Sequence, residues 1–148
     1  MADYVELRAR SAFSFLEGAS LPEDLAARAA ELGYRAIALG DRDGVYGQPR
    51  FHQAAVAAGI KPIVAADVTL EDESRLYLLV PDRERYKNLC RLLTDSKLRM
   101  VGNQPDGSPK YPAKGESRIT IEDLENHGNG LICGRRRAKS PRSWPHPR

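Results

Sequence analysis

The stretch Arg35–Gly47, RAIALGDRDGVYG, constrains this chain more than any other. Ala36, Ile37, Ala38 and Leu39 form the short unbroken apolar run of a strand buried on both faces. The run then breaks into a polar, glycine-containing loop carrying Asp41, Arg42 and Asp43. Strands of this kind belong to parallel sheets covered by helices, where the loop beyond the carboxyl end is the usual place for chemistry. Asp41 is therefore the first candidate functional residue. The competing reading is a carboxylate that caps the turn or the following helix.

The segments on either side alternate. Tyr4-Val5-Glu6-Leu7 reads as a first strand. Ser11–Ser20 reads as a loop, with Phe13, Phe15 and Leu16 expected beneath it in the core. Ser20 and Glu23 carry a capping-box spacing ahead of a helix over 21–32, with Leu21, Leu25, Ala29 and Leu32 on its inner face and Gly33 as its stop. A second helix through Phe51, Ala54, Ala55 and Ala58 ends at Gly59. Ile60–Leu70 is a long strand closing on Asp67. A turn at Glu71–Ser74 leads into Arg75–Val80, so these two strands are expected to pair antiparallel. Asp82 is placed to cap a third helix with Tyr86, Leu89, Cys90 and Leu93 inward. Residues 101–117 read as a surface loop, Thr120 and Asp123 as the cap of a short helix, and 128–133 as a turn and a last strand. The pattern is α/β, with a mostly parallel sheet or barrel. Its strand ends bring Glu6 to Arg10, Asp41 to Asp43, and Asp67 toward one rim, a convergence that marks a site.

Composition narrows the function classes. The chain has 148 residues, 41% hydrophobic and 29% charged, as suits one globular domain. No run has the length of a membrane span, and the N-terminus lacks a signal-peptide pattern. Cys90 and Cys133 stand apart without ligand-like spacing, which points to a cytoplasmic protein with reduced thiols. The net charge is +3. Arg135, Arg136, Arg137, Lys139, Arg142 and Arg148 exceed that total by themselves, so residues 1–133 carry a net charge of −3. The basic balance belongs to the tail and argues no nucleic-acid surface on the body. His52 is expected to pack or cap, His127 falls in a turn and His146 in the tail. Gly102, Gly107 and Gly115 do not fit a phosphate-cradling spacing.

Tyr4–Ser20 (YVELRARSAFSFLEGAS), Gly40–Gly47, Arg50–Ala55 and Gly59–Leu70 resemble the PHP domain (polymerase and histidinol phosphatase). The version they resemble most opens the bacterial C-family DNA polymerases, the DNA polymerase III alpha subunits, and among them the error-prone branch. The resemblance covers about residues 3–133. It implies a distorted TIM-like α/β barrel around a cleft that, in active members, binds up to three divalent metals and hydrolyses phosphoesters or proofreads DNA. It also implies the polymerase palm, fingers and thumb downstream. At the metal positions this chain departs from the family. Arg8-Ala9-Arg10 stands where metal-binding relatives carry His-x-His, Asp41-Arg42 where they carry Asp-His, Asp67 where they carry Glu, and Arg75 where they carry a further histidine. Arginine has no lone pair to offer a cation and stays protonated. Asp41 and Asp67, even joined by Glu6, would hold a cation only weakly. The metal site is therefore expected to be degenerate and without a cofactor. Two readings of these arginines stand: drift to surface charge after selection on the metal site was lost, or guanidinium groups, those of Arg8 and Arg10 among them, in the vacated volume and paired with Asp41 and Asp67.

These readings combine into one expectation. Residues 1–133 form an incomplete PHP barrel, and residues 134–148 form a disordered basic tail. That tail reads as a shifted frame or truncation, or else as a nucleic-acid-binding arm with Trp144 for stacking. The expected role is that of an N-terminal fragment of an error-prone DNA polymerase III alpha-type subunit, whose parent carries out DNA-directed DNA synthesis in replication and translesion repair. The fragment itself would be a non-catalytic scaffold whose partners are the rest of a polymerase or other replication and repair proteins. It would meet DNA only indirectly and touch no membrane. The alternative is a free-standing metal-dependent phosphoesterase or exonuclease of the same family.

Overall fold

The first half of the chain folds as the alternation requires. In the computed structural model, which describes residues 4–113 and 115–135, β1 (Glu6–Ala9), α1 (Pro22–Glu31), β2 (Ala36–Arg42), α2 (Gln48–Ala57) and β3 (Lys61–Thr69) form two successive strand–helix–strand units. The three strands pair in parallel, β1 on β2 and β2 on β3. The tight turn after β3 then reverses the chain. β4 (Arg75–Val80) lies antiparallel to β3, with Asp67 opposite Tyr77 and Thr69 opposite Arg75. After α3 (Arg83–Leu98), a two-stranded ribbon of β5 (Gly102–Asn103) and β6 (Pro109–Lys110), and α4 (Ile121–His127), strand β7 (Ile132–Arg135) adds antiparallel to β4. The five-stranded order is β1-β2-β3-β4-β7.

Alternation along the strands sends successive side chains to opposite faces. One face carries Ile37 and Leu39 under α1 and α2, packed with Ala26, Ala29, Phe51, Ala55 and Ile60. Further along the same face, Ala66, Val68, Leu78 and Val80 meet Leu89, Leu92 and Leu93 of α3 and Ile119. Full burial of each of the larger side chains contributes about 1.5–3 kcal/mol. The opposite face carries Ala38, Ala65 and Tyr77. The sheet curls around this second face: the guanidinium of Arg8 on β1 sits 5.5 Å from the centroid of the Tyr77 ring on β4. Adjacent strands lie about 4.8 Å apart, so a flat sheet would hold those two residues beyond an arginine's reach. The result is an open half-barrel with β1 and β7 at its edges, the incomplete barrel expected from the sequence.

Several local expectations are realised. Asp82 caps α3 through the Arg85 amide at 3.0 Å, and Thr120 and Asp123 form a reciprocal capping box on α4. Others are corrected. The first strand begins at Glu6; Tyr4 instead packs edge-on against Tyr34, with ring centroids 5.3 Å apart. Leu21, not Ser20, is the N-cap residue of α1, and a leucine side chain has no oxygen with which to cap; Glu23 falls at the second helical position and pairs with Arg50. Phe13, Phe15 and Leu16 do not enter the core; Phe15 is 80% and Leu16 89% exposed. Leu21 and Leu32, at the ends of α1, are also exposed, and Pro22 and Ala26 take the inner positions with Ala29. The segment over 101–117 contains the β5–β6 ribbon rather than loop alone. Strand β7 runs through Gly134 and Arg135, past the expected domain boundary. Of the expected tail, residues 136–148, including Trp144 and His146, lie outside the described residues.

Candidate functional site

The period of two that builds the sheet also decides which strand-end residues meet. Asp67 shares the concave face with Ala65, and its register partners are Arg42 on β2 and Tyr77 on β4. Arg75, two residues before Tyr77, points the same way. Asp41 is paired with Ala66 and follows Ile37 and Leu39, so its side chain falls on the helix-covered face.

The two aspartates therefore have different lives. Asp67 is 1% exposed and is engaged by Arg10 and Arg75, the latter through Nη1 at 3.5 Å. Asp41, also 1% exposed, is bonded by neutral donors. The Ser11 amide (2.9 Å), the Ser11 hydroxyl (2.8 Å) and the Ser14 hydroxyl (2.8 Å) reach Oδ1, and the Gly47 amide reaches Oδ2 at 3.2 Å. Gly47 is the N-cap of α2, so the carboxylate fastens the 11–20 loop to the start of that helix. Of the two readings of Asp41 open in the sequence, the geometry matches the capping one, and the expected Asp41–arginine pairing is replaced by these hydrogen bonds. Ser14 Oγ also accepts from the Arg42 amide at 3.0 Å, which ties the loop to the end of β2.

The residue around which the arginines gather is Glu17, which the sequence did not single out. Arg75 donates to it with both Nη atoms, 2.8 Å to Oε2 and 2.6 Å to Oε1. Arg10 bonds the same carboxylate, and Arg42 Nη1 stands 3.4 Å from Oε1. Arg10 and Arg75 thus bridge Glu17 and Asp67, while Arg42 extends the set to Asp43 at 3.5 Å. Asp43 accepts from the Thr69 amide (2.7 Å) and hydroxyl (2.9 Å), joining the ends of β2 and β3. Three of the four arginines expected at metal-ligand positions, Arg10, Arg42 and Arg75, meet on this carboxylate, whereas Arg8 lies over the Tyr77 ring. These groups surround a cleft of about 420 Å³ lined by Arg8, Arg10, Glu17, Asp67 and Tyr77.

The electrostatics follow from these contacts. The bond from Arg75 holds the Glu17 carboxyl below the usual carboxylate range against the opposing effect of burial, helped by the charges of Arg75, Arg10 and Arg42. The bond to Glu17 strengthens the proton affinity of Arg75 in turn. Burial, with the negative charge of Asp67 behind it, pushes the Tyr77 phenol far up. The cleft thus holds ion pairs and a phenol that burial keeps protonated. Among the described residues no three His, Cys, Asp or Glu side chains cluster in a way that could hold a metal ion. His52 is exposed on α2, and His127 bonds Asp95 at 2.7 Å, away from the cleft. A hint of Glu17's role was available in the sequence: it is an acid inside the Tyr4–Ser20 stretch that also carries Arg8 and Arg10. Spacing alone could not bring it there.

The family description "PHP domain" matches residues 6–141 of the chain. An error-prone DNA polymerase of Anaeromyxobacter sp. (strain K) is 51% identical over 135 residues, which is 88% of this chain and 12% of that protein. The error-prone DNA polymerase of Pseudomonas aeruginosa is 41% identical over 133 residues, 90% of this chain and 12% of the relative. The chain therefore spans about 12% of the length of these curated relatives. Among solved structures, a Bifidobacterium adolescentis protein classed provisionally as a metal-dependent phosphoesterase superposes with a TM-score of 0.51 at 19% identity, over 62% of this chain and 32% of that one, a likeness of fold. No helix among the described residues is long and apolar enough to cross a membrane. With the half-barrel in place and the match running through nearly all of its strands and helices, the chain belongs to the PHP domain family.

Proposed function

We propose that this chain is the opening PHP module of an error-prone DNA polymerase of the DNA polymerase III alpha type, and that within it the module is a non-catalytic scaffold. The observation that carries this reading is the engagement of Asp67 and Glu17 by Arg10 and Arg75 on the concave face of the sheet. Divalent metals need converging oxygen or imidazole lone pairs. Here Asp67 Oδ2 and both oxygens of Glu17 are engaged by guanidinium groups, and Asp41 is occupied by Ser11, Ser14 and Gly47. The residues present do not fit the family's metal centre, and no hydrolytic step is assigned to the cleft. The ion pairs take over the mechanical task of holding the strand ends and the 11–20 loop together.

In this reading DNA synthesis in replication or translesion repair is the work of the parent polymerase, and the module's partners are the rest of that polymerase or replication and repair proteins in the cytoplasm. DNA is met only through them. The purified chain is expected to extend no primer and to release no phosphate from simple phosphomonoesters with manganese or zinc added. Metal-dependent turnover above the level of an Asp67→Asn control would favour the free-standing phosphoesterase instead.

A further inference from the structure

We propose that the groove between α2 and α3, on the helix-covered face of the sheet, binds a small apolar carboxylate that carries an N–H donor. An N-acylated apolar amino acid is a molecule of that class. This goes beyond the scaffold reading, which needs no ligand, and it concerns the face opposite the ion-paired cleft.

The groove has a topological origin. Parallel strands are joined by crossovers, and α1 and α2 are the crossovers that roof β1, β2 and β3. β3 and β4 are antiparallel neighbours joined by a tight turn, so no crossover helix lies over their junction. A cavity of about 540 Å³ remains there, within the range of about 300–1,000 Å³ usual for small-molecule sites. Val64 and Val80, directly opposite each other in the β3–β4 register, lie along it. Pro49, Pro81 and the Tyr86 ring add to its apolar lining.

One buried polar group points to a ligand with a donor. Gln48, the first residue of α2, lines the cavity and is 4% exposed. Its Nε2 donates to the main-chain oxygens of Leu39 and, at 3.3 Å, of Ala65. Reversing the amide would set its oxygen against those two carbonyl oxygens, so its orientation is fixed. Oε1 is then a buried acceptor without a donor among the described residues. Such groups are rare in folded proteins, and an N–H on the ligand would satisfy this one.

Arg83, in the first turn of α3, supplies the charge. Its neighbours are already committed: Asp82 faces Arg85 at 3.3 Å, and Glu84 pairs with Lys87 at 2.7 Å. Arg83 also lines the cavity, is exposed, and makes no ion pair or hydrogen bond with the described residues. A carboxylate takes both prongs of a guanidinium fork. One guanidinium beside an apolar cavity therefore suits a monoanion with an apolar body.

The test is an NMR titration of the full chain with N-acetylphenylalanine. It follows the Gln48 side-chain amide, the Arg83 Nε–H and the backbone amides of residues 82–86. Saturable shifts of these signals are expected, with the Arg10 and Arg75 side-chain signals unmoved. N-acetylphenylalaninamide, which lacks the carboxylate, should bind about tenfold more weakly, the scale of one charge-assisted hydrogen bond, and so should the acid to Arg83→Met. The acid methylated at its amide nitrogen should bind severalfold more weakly, because it has no donor for Gln48. Arg91→Met, which removes an exposed arginine of the same helix outside the cavity, should leave binding unchanged. Absence of saturable shifts, equal binding of the methylated acid, or equal effects of Arg83→Met and Arg91→Met would overturn the proposal. Much tighter binding of acetyl-Gly-Gly-Phe than of the free acid would assign the groove to the end of a polypeptide and overturn it as well.

Discussion

Replacing Arg75 with methionine removes the centre of the ion-pair cluster while keeping the apolar stem. Two charge-assisted hydrogen bonds to Glu17, at 2.8 and 2.6 Å, are lost, together with the 3.5 Å approach to Asp67. Breaking a fully buried pair costs about 3–5 kcal/mol. The Arg75 and Glu17 side chains are 14% and 22% exposed, and Arg10 continues to serve both carboxylates, so the loss should be smaller. We expect Arg75→Met to destabilise by about 2 kcal/mol, given net values of about 1.5–3 kcal/mol for hydrogen bonds to charged groups. For a chain of this size that corresponds to a Tm lowered by roughly 8 °C. Glu17→Gln should cost about 1.5 kcal/mol, and the double variant about 1–1.5 kcal/mol less than the two losses added, because both remove the same bonds. Urea unfolding followed by far-ultraviolet circular dichroism measures all four corners of the cycle. Additive losses, within about 0.3 kcal/mol, would refute the coupling and with it the view that these ion pairs hold the cleft.

The same pair sets an acid dependence. Glu17 has its folded pKa below the ordinary value of 4.5, so its contribution is complete above that pH and is lost as pH falls through the folded value. Unfolding free energies of the unmodified chain should decline more steeply below about pH 4.5 than those of Glu17→Gln; parallel profiles would count against the pairing. Gly40 lies directly against the Tyr77 ring, and a Cβ there would overlap the ring and hydroxyl. Gly40→Ala should therefore cost about 1–3 kcal/mol, as overpacking does in close-packed interiors, and should displace Tyr77; unchanged stability and an unchanged Tyr77 ring environment by NMR would show that the contact is loose.

Much of the architecture was legible because local chemistry and tertiary structure agree there. The apolar run before Asp41, the tight turn between β3 and β4, the Asp82 cap and the Thr120–Asp123 box each specify an element within a few residues. Legibility fails where a side chain has a better partner far along the chain. Ser20 and Glu23 carry a cap spacing, but the helix starts one residue later with Leu21 at its N-cap, and Glu23 pairs with Arg50. Phe13, Phe15 and Leu16 look like core residues because they are apolar, yet the loop is pinned by Ser11 and Ser14 and leaves its tip in solvent. At the site, the arginines were readable as departures from a family pattern, and Asp67 as a carboxylate among them. Glu17 and Tyr77 were not, since it takes the curl of the sheet to bring a loop carboxylate and a β4 phenol into one cleft. Asp41 and Asp67 looked equivalent as strand-end acids; the strand's period of two puts them on opposite faces.

The central claim is that guanidinium groups, not metal ions, occupy the heart of this PHP cleft. Isothermal titration of the full chain with manganese and with zinc tests it most directly, with the Arg8→His, Arg10→His, Arg42→His and Arg75→His variant combined in one chain as the comparison. The account predicts no binding to the unmodified chain tighter than about millimolar, the weak end of the range for sparse oxygen-ligand sites, and a gain in affinity when the four histidines are restored. Stoichiometric micromolar binding by the unmodified chain, abolished by Asp67→Asn, would contradict it.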